Sequence, residues 1–253
     1  MADIRISTRT DGNGKDNEDS FTTIRQDERA ILCVSDGVGG LDAGDIASLY
    51  ITKKIEAWAE EKDVNTMGEK STHREYSSLV ARLHEDLLAI SEEKDVPLGA
   101  TSILAFVGLK KVVFENIGDS RAYVYQHGNC KQVTVDQTVR YYDLVTGCNY
   151  EHVRGIDMEN MTEEQKDRTL MQCIGYGARI PKPMMYIVPI AENVDILLCS
   201  DGLSNTIKEY EIKRELDRER SGDKVLANLI NLAKKRGETD NITAVLYRRR
   251  GRG

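Results

Sequence analysis

The sequence predicts an α+β domain in which helices cover two stacked, mostly antiparallel sheets. Three observations predict it. Two short runs, Ile31-Leu32-Cys33-Val34-Ser35-Asp36-Gly37 and Ile196-Leu197-Leu198-Cys199-Ser200-Asp201-Gly202, are apolar, strand-like and end abruptly in Ser-Asp-Gly. Amphipathic helical stripes fall in two pairs, one early and one late. Between them lies a meander rich in β-branched and aromatic residues. Strands, helices, meander, then strands and helices again make a layered α+β pattern. Periodicity leaves the strand order open.

Along the chain, Ser20 to Arg25 and Ala30 to Ser35 read as strands parted by the polar Gln26-Asp27-Glu28-Arg29. A first helix is expected on Ile46, Leu49, Tyr50, Lys53, Ala57 and Trp58, with acids from Asp42 to Asp45 at its entry, where the helix dipole favours them. A second carries the stripe Tyr76, Leu79, Val80, Leu83, Leu87 and Ile90. Both stripes are assigned to core. The meander is Thr101 to Leu109, Val112 to Ile117, Ala122 to Gln126 and Gln132 to Val135, with Lys110-Lys111 and Gly128-Asn129 as turns. From Gln137 to Arg179 the chain is irregular and polar, weakly helical near Met161 to Met171; long excursions of this kind are often functional. Strands at Met184 to Pro189 and Asp195 to Ser200, helices at Lys208 to Glu219 and Lys224 to Lys235, and a last strand at Ile242 to Tyr247 complete the pattern. No low-complexity linker divides it, so one domain over residues 1–253 is expected.

Composition narrows the function. The 253 residues suffice for a sizeable core, and 40% hydrophobic with 30% charged residues is ordinary for a globular protein. A formal net charge of -7 argues against a nucleic-acid partner. The basic end Arg248-Arg249-Arg250-Gly251-Arg252-Gly253 is expected to be solvated. No apolar stretch is long enough to cross a bilayer, and Met1 to Thr10 lacks the apolar core of a signal peptide. The five cysteines show no paired spacing, so neither a disulfide framework nor a zinc ribbon is indicated; Cys33 and Cys199 read as core, and a reducing cytoplasm fits.

The acids sit at strand ends. Glu18-Asp19 precede a strand, Asp36 and Asp201 end strands, Asp119 follows one, and Asp240 stands just before the last. A single Asp-Gly is also an ordinary turn signal. Five such positions facing one cleft would crowd negative charge that needs a counter-cation. Hard divalent ions with oxygen ligands answer that need, and none of His73, His84, His127 or His152 lies in these motifs, which favours magnesium or manganese over zinc. Two such ions about 3.5–4 Å apart can activate a water and hold a phosphoryl group for in-line attack.

Six ordered motifs then carry a specific resemblance: Asn17-Glu18-Asp19-Ser20, Asp36-Gly37-Val38-Gly39-Gly40, Gly99-Ala100-Thr101-Ser102, Gly118-Asp119-Ser120-Arg121, Ser200-Asp201-Gly202 and Asp240-Asn241-Ile242-Thr243. Together they resemble the metal-dependent protein phosphatases, the protein phosphatase type 2C family, in its bacterial branch. The segment Gly40 to Ser48 also resembles the family's first helix entry, and the likeness runs from about Thr8 to Tyr247. The resemblance implies a β-sandwich flanked by helices on both faces, a four-layer α-β-β-α arrangement, with a two-metal site at one end. It implies that Asp36 bridges two Mg2+ or Mn2+ ions, that the Gly37 carbonyl binds the first, and that Glu18, Asp201 and Asp240 complete the second, some through water. Asp119, with Asp201, resembles the position of a third ion. It implies direct attack on phosphorus by a water activated between the ions, without a phospho-enzyme. Asp19 is placed behind the ligands as an orienting group, and Asn241 shapes the turn that presents Asp240.

Several positions depart from the family's pattern. Where many members carry an arginine for the substrate phosphate, three residues before the Asn-Glu-Asp run, this chain has Gly14, and the nearest cation is Lys15, a point charge without the bidentate fork. Val38 replaces the histidine of eukaryotic members, which leaves the general acid unassigned. The usual Asp-His pair is Asp136-Gln137, read as structural. Residues 137–179 match the family's variable flap, with Met161-Thr162-Glu163-Glu164 resembling its helix and Cys148 to Asp157 less regular, and substrate selectivity is expected there. The expected activity is hydrolysis of phosphoserine and phosphothreonine in proteins, opposing a Ser/Thr kinase, by a cytoplasmic monomer with neither membrane nor nucleic-acid partners. The competing readings are a pseudophosphatase that binds phosphoproteins without turnover, and an aspartyl-phosphate enzyme. The complete acid set speaks against the first, and the paired Ser-Asp-Gly strands speak against the second.

Overall fold

The two Ser-Asp-Gly runs form central strands buried on both faces, which explains why they lack the polar alternation of a half-exposed strand. In the computed structural model, which describes residues 2–14, 16–38, 43–62, 68–146 and 161–251, the first run is β3 (Arg29–Asp36) and the second β9 (Val194–Cys199). Lys15, the Gly39-Gly40 pair, Leu41-Asp42 and residues 147–160 of the expected flap lie outside the described residues.

β3 pairs with β2 (Asp19–Gln26) and β4 (Ser102–Val107), and β5 (Lys111–Ile117) and β8 (Met184–Pro189) extend that sheet. β9 lies between β10 (Ile242–Arg250) and β6 (Arg121–Gln126), with β1 (Asp3–Asp11) and β7 (Asn129–Gln132) at the edges. Every pairing in both five-stranded sheets is antiparallel.

Alternation along the central strands builds three apolar layers. Leu32 and Val34 point inward with Ile103, Phe114, Ile196, Leu198 and Tyr247 to form the core between the sheets. Ile31 and Cys33 point outward beneath α1 (Gly44–Glu60) and α2 (Glu69–Lys94). Leu197 and Cys199 face the helices α5 (Asp201–Ser204), α6 (Glu209–Arg218) and α7 (Gly222–Lys235) on the opposite side. The outcome is the expected α-β-β-α order of layers. Each fully buried leucine or isoleucine contributes roughly 1.5–3 kcal/mol.

Four sequence expectations are corrected. The first helix keeps part of the expected stripe, with Trp58 buried and Ile46 and Tyr50 packed against the core, but its buried face runs through Ala47, Ile51 and Ile55, and Leu49 is 53% exposed. The hairpin after β6 turns on His127-Gly128, both with positive φ, so the next strand starts at Asn129 and ends at Gln132. β1 and the short α3 (Val139–Thr146), neither expected, are additions; α4 (Glu163–Arg168) falls within the helical region anticipated near Met161. Finally, the basic end is not solvated throughout. Arg248 and Arg249 are buried in β10, and Arg248 and Arg250 both pair with the buried Asp195. Among the described residues no helix is long and apolar enough to cross a membrane.

Candidate active site

The strand ends carrying the acids meet at one edge of the sandwich. On one sheet, the β2–β3 register sets Asp19 opposite Asp36. Beyond β3 the chain is clamped: the Asp36 N–H donates to Thr101 Oγ1 (3.1 Å), and the Thr101 N–H donates to the Asp36 carbonyl (2.8 Å). Gly37 N–H donates to the Glu18 carbonyl (3.0 Å) and Val38 N–H to the Gly99 carbonyl (2.9 Å). Gly37 lies so close to Gly44 that a Cβ on it would stand 2.5 Å from the Gly44 carbonyl carbon, and a Cβ on Gly44 would stand 3.2 Å from the Glu18 carboxyl carbon. Two glycines thus let the start of α1 press the Gly37 backbone and the Glu18 carboxyl into one small space.

On the other sheet, β9 passes through Ser200 into α5, whose first residue is Asp201. Asn205 Nδ2 donates to Asp201 Oδ2 (3.1 Å). Asn241 holds the incoming loops: its Oδ1 accepts the Glu18 N–H (2.9 Å), and its Nδ2 donates to the Gly12 and Asp16 carbonyls. Asn13 returns the clasp, donating to the carbonyls of Glu238 (3.0 Å) and Asp240 (2.7 Å). Asp119 sits in the tight turn after β5, where Gly118 has φ +98° and would drive a Cβ into Thr101. The next turn residue, Ser120, shares a 2.8 Å hydrogen bond with Thr101 Oγ1, so the Asp119 and Asp36 loops are held to each other.

Electrostatics records how closely the acids gather. Burial raises the Asp36 carboxyl well above its ordinary value, and the neighbouring charges of Asp19, Asp201 and Asp119 push it further the same way. Burial and the charges of Asp201 and Asp136 raise Asp119 likewise. Burial, then the charge of Asp240, raises Asp201. Asp19 is raised to about 6, chiefly by burial, against hydrogen bonding from Ser200. Asp240 itself is exposed at the rim, beside Asp201. The buried Oδ1 of Asp19 has no hydrogen-bond partner.

Of the sequence-predicted residues, Asp36, Asp119 and Asp201 therefore come together, Asp240 borders them, and Glu18 and Gly37 adjoin Asp36 through the β2–β3 pairing and Gly44. Lys15 is outside the described residues. Asp19 is buried beside Asp36, opposite it in the β2–β3 register, and its Oδ2 accepts the Ser200 hydroxyl. As they stand, no three His, Cys, Asp or Glu side chains among the described residues converge closely enough to hold one ion. The donor chemistry nonetheless suits a hard cation: oxygen ligands, mutual repulsion and an orphaned buried carboxylate oxygen. Sequence reasoning missed Asn13 altogether, and it singled out Thr101 and Ser200 only as motif members, without the partners that lie far along the chain.

A cavity of about 500 Å3 opens beside Asp119 and Asp201, lined also by Arg121, Asp136, Thr138 and Arg140. Arg121 makes a bidentate pair with Asp136, Nε to Oδ1 at 2.9 Å and Nη2 to Oδ2 at 2.6 Å. A larger cavity, about 840 Å3, lies against Tyr125, Arg248 and Arg250 and touches none of the clustered acids, so size alone does not mark the site.

A family model described as Protein phosphatase 2C matches residues 8–246. The serine/threonine phosphatase stp of Listeria welshimeri serovar 6b is 30% identical over 235 residues, covering 92% of this chain and 90% of that protein. The crystal structure of a bacterial serine phosphatase, 26% identical, superposes with a TM-score of 0.83 over 99% of this chain and all of that one. The catalytic domain of the serine threonine protein phosphatase PstP, solved with two manganese ions, shares the fold at a TM-score of 0.76 and 23% identity, with coverage of 99% and 100%. With the family pattern matched almost from end to end and the same double sheet beneath it, the chain belongs to the protein phosphatase 2C family.

Proposed function

We propose that this protein hydrolyses phosphoserine and phosphothreonine in phosphorylated proteins, the products of a Ser/Thr kinase, and that it does so with two Mg2+ or Mn2+ ions. Asp36 and the Gly37 carbonyl would hold the first ion; Asp36, Glu18, Asp201 and Asp240 would hold the second, and Asp119 with Asp201 a third. The observation that carries the reading is the crowding of Asp19, Asp36, Asp119 and Asp201, each pushed toward the neutral form by burial and, at Asp36, by three neighbouring carboxyls. A cluster so repulsive is stable in its charged form only with cations among it. When bound, such ions supply charge neutralisation and an activated water for in-line attack on phosphorus.

The chain's own residues hold the ligands. Thr101 and Gly44 fix the Asp36-Gly37 corner, Asn241 and Asn13 fix the Glu18 and Asp240 loops, and Asn205 orients the Asp201 carboxylate. The cavity beside Asp119 and Asp201 gives the peptide an approach; Thr138, Arg140, Glu164 and Arg168 of the flap region line it, and we assign selectivity to that region. The relatives' printed names, serine/threonine phosphatases, and the two manganese ions in PstP support the same chemistry.

Release of phosphate from a phosphothreonine peptide tests this. Manganese should support turnover and chelator abolish it, and Asp36→Asn or Asp201→Asn should lower kcat on the order of 10³-fold, several kcal/mol of transition-state stabilisation. Full activity in chelator, or in either variant, overturns the metal mechanism. Peptide binding without phosphate release under any divalent ion would instead mark a phosphoprotein-binding module.

A further inference from the structure

Gln137 opens the irregular region and is completely buried, at 0% exposure. Its side chain is spent on the turn that presents Asp119. Oε1 accepts the Gly118 N–H at 3.0 Å, and Nε2 donates to the Asn116 carbonyl at 2.9 Å. The two partners, an N–H and a C=O, fix which way the amide points. Its backbone joins the same two places: the Gln137 N–H donates to the Gly118 carbonyl (3.0 Å), and its own carbonyl accepts the Met171 N–H (2.9 Å). Gln172 Nε2 adds a 3.3 Å contact to Oε1. Two residues on, Ile174 exchanges both backbone hydrogen bonds with Ala100, which in turn bridges to Gly37. The segment Met171–Ile174, where the chain returns from the flap, is therefore fastened to the Asp119 turn at one end and to the Asp36-Gly37 corner at the other.

We propose that Gln137 is a positioning residue that locks the segment Met171–Ile174 to the Gly118-Asp119 turn, so that a divalent cation drawn to Asp119 and the placement of that segment form one equilibrium. The proposal rests on Asp119 acting as an ion ligand, as in the function proposed above. A buried group here must accept from Gly118 and donate to Asn116 at once. An amide does both at every pH; a carboxylate offers two acceptors, and an aliphatic side chain leaves both backbone groups unpaired in the interior. Histidine also has a donor and an acceptor, but only while neutral. By linkage, whatever holds the segment tightens cation binding at Asp119, and the cation returns the effect.

Hydrogen exchange read by mass spectrometry, with and without Mn2+, tests the coupling without turnover. In the wild-type protein Mn2+ should slow exchange in the peptides containing Gly118 and Met171 together. In Gln137→Met the Met171 response should disappear and the weakest Mn2+ affinity should fall about tenfold, the worth of one buried hydrogen bond. Gln137→His at pH 8 should restore both. Should Gln137→Met fail to fold, Asp119→Asn decides: Mn2+ must then still protect the peptide containing Gly37 while losing its effect at Met171. A Met171 response that survives in Gln137→Met or in Asp119→Asn, or that is missing in the wild type, overturns the proposal. Lack of phosphate release with Mn2+ would overturn the proposed activity and leave this coupling standing.

Discussion

The Ser200 hydroxyl donates a 2.8 Å hydrogen bond to Oδ2 of Asp19 and so joins the end of β9 in one sheet to the start of β2 in the other. The same Oγ accepts the Thr243 N–H at 2.9 Å. One hydroxyl thus ties three strand ends together beneath the acid cluster, and Asp19, whose Oδ1 already lacks a partner, depends on it. Ser200→Ala removes the donor from a buried carboxylate, and a loss of about 1–3 kcal/mol in unfolding free energy is expected. Urea denaturation measures it; an unchanged midpoint would show that Asp19 does not need this contact.

The crowding on which the proposed metal site rests also weakens the fold. With metal chelated, Asp36→Asn removes one of the repelling carboxyls while keeping its shape. The variant should unfold at a higher temperature than the chelated wild type, because it loses the burial and carboxylate repulsion that hold the Asp36 carboxyl well above its ordinary value. With Mn2+ present the order should reverse, since cations bound only to the folded state stabilise the wild type by about 2.7 kcal/mol at a hundredfold excess over Kd. Thermal unfolding with and without manganese checks both halves.

Gly37→Ala is expected to be far worse than its size suggests. The added methyl would stand 2.5 Å from backbone atoms of Gly44, which belongs to α1 and cannot swing aside as a side chain would. The corner carrying the Gly37 carbonyl must shift, and misplacement by about 1 Å can cost on the order of 10²-fold in rate. Gly44→Ala, facing the movable Glu18 carboxyl at 3.2 Å as well as Gly37, should lose less. Steady-state kinetics on the two variants tests the ranking.

His84 supplies a pH dependence away from the acids. It is buried on α2, its Nδ1 accepts the Gly175 N–H at 3.1 Å, and Nε2 has no partner at hydrogen-bonding distance. Burial lowers its pKa below 6.5, against the smaller pull of the Gly177 backbone and Glu85. The unfolded chain therefore takes up a proton that the folded chain refuses. The stability contributed by neutral His84 is complete above about pH 6.5 and declines as pH falls toward the folded value, by at most about 1.4 kcal/mol per pH unit. His84→Gln keeps an acceptor for Gly175 and cannot titrate, so its stability should fall less than that of the wild type between about pH 7.5 and 5.5. Identical slopes would refute this.

How much of this could be read from the sequence follows from where each residue sits. β3 and β9 were legible because both of their faces are covered, which leaves an unbroken apolar run. β1 was not: it is an edge strand that buries only Ile4 and the polar Ser7 among Asp3, Arg5 and Arg9, so its pairing with β10 supplies what its own pattern lacks. α3 escaped notice because it is short and leaves Leu144 and Val145 exposed, while Arg140 pairs with Glu163 and Asp167 on α4. At the site, Asp36, Asp119, Asp201 and Asp240 stood out through their glycine and asparagine neighbours. Asn13 gave no local sign, and Ser200 stood in its motif with nothing to mark its role, since their partners lie 227 and 181 residues away. Gln137 looked structural for a related reason: its importance is in hydrogen bonds to Asn116 and Gly118 that no spacing rule encodes.

β10 occupies the place between β1 and β9, with Asp3 aligned to Arg250 and Asp11 to Ile242. During synthesis the first strand must therefore wait unpaired until the tenth leaves the ribosome. Only then does Asn241 reach the backbone of Glu18 and bring the two ends of the catalytic rim into register. Until β10 is in place, Asp240 and Asn241, which lead into it, are not held against the Glu18 loop, and the rim of the acid cluster is incomplete.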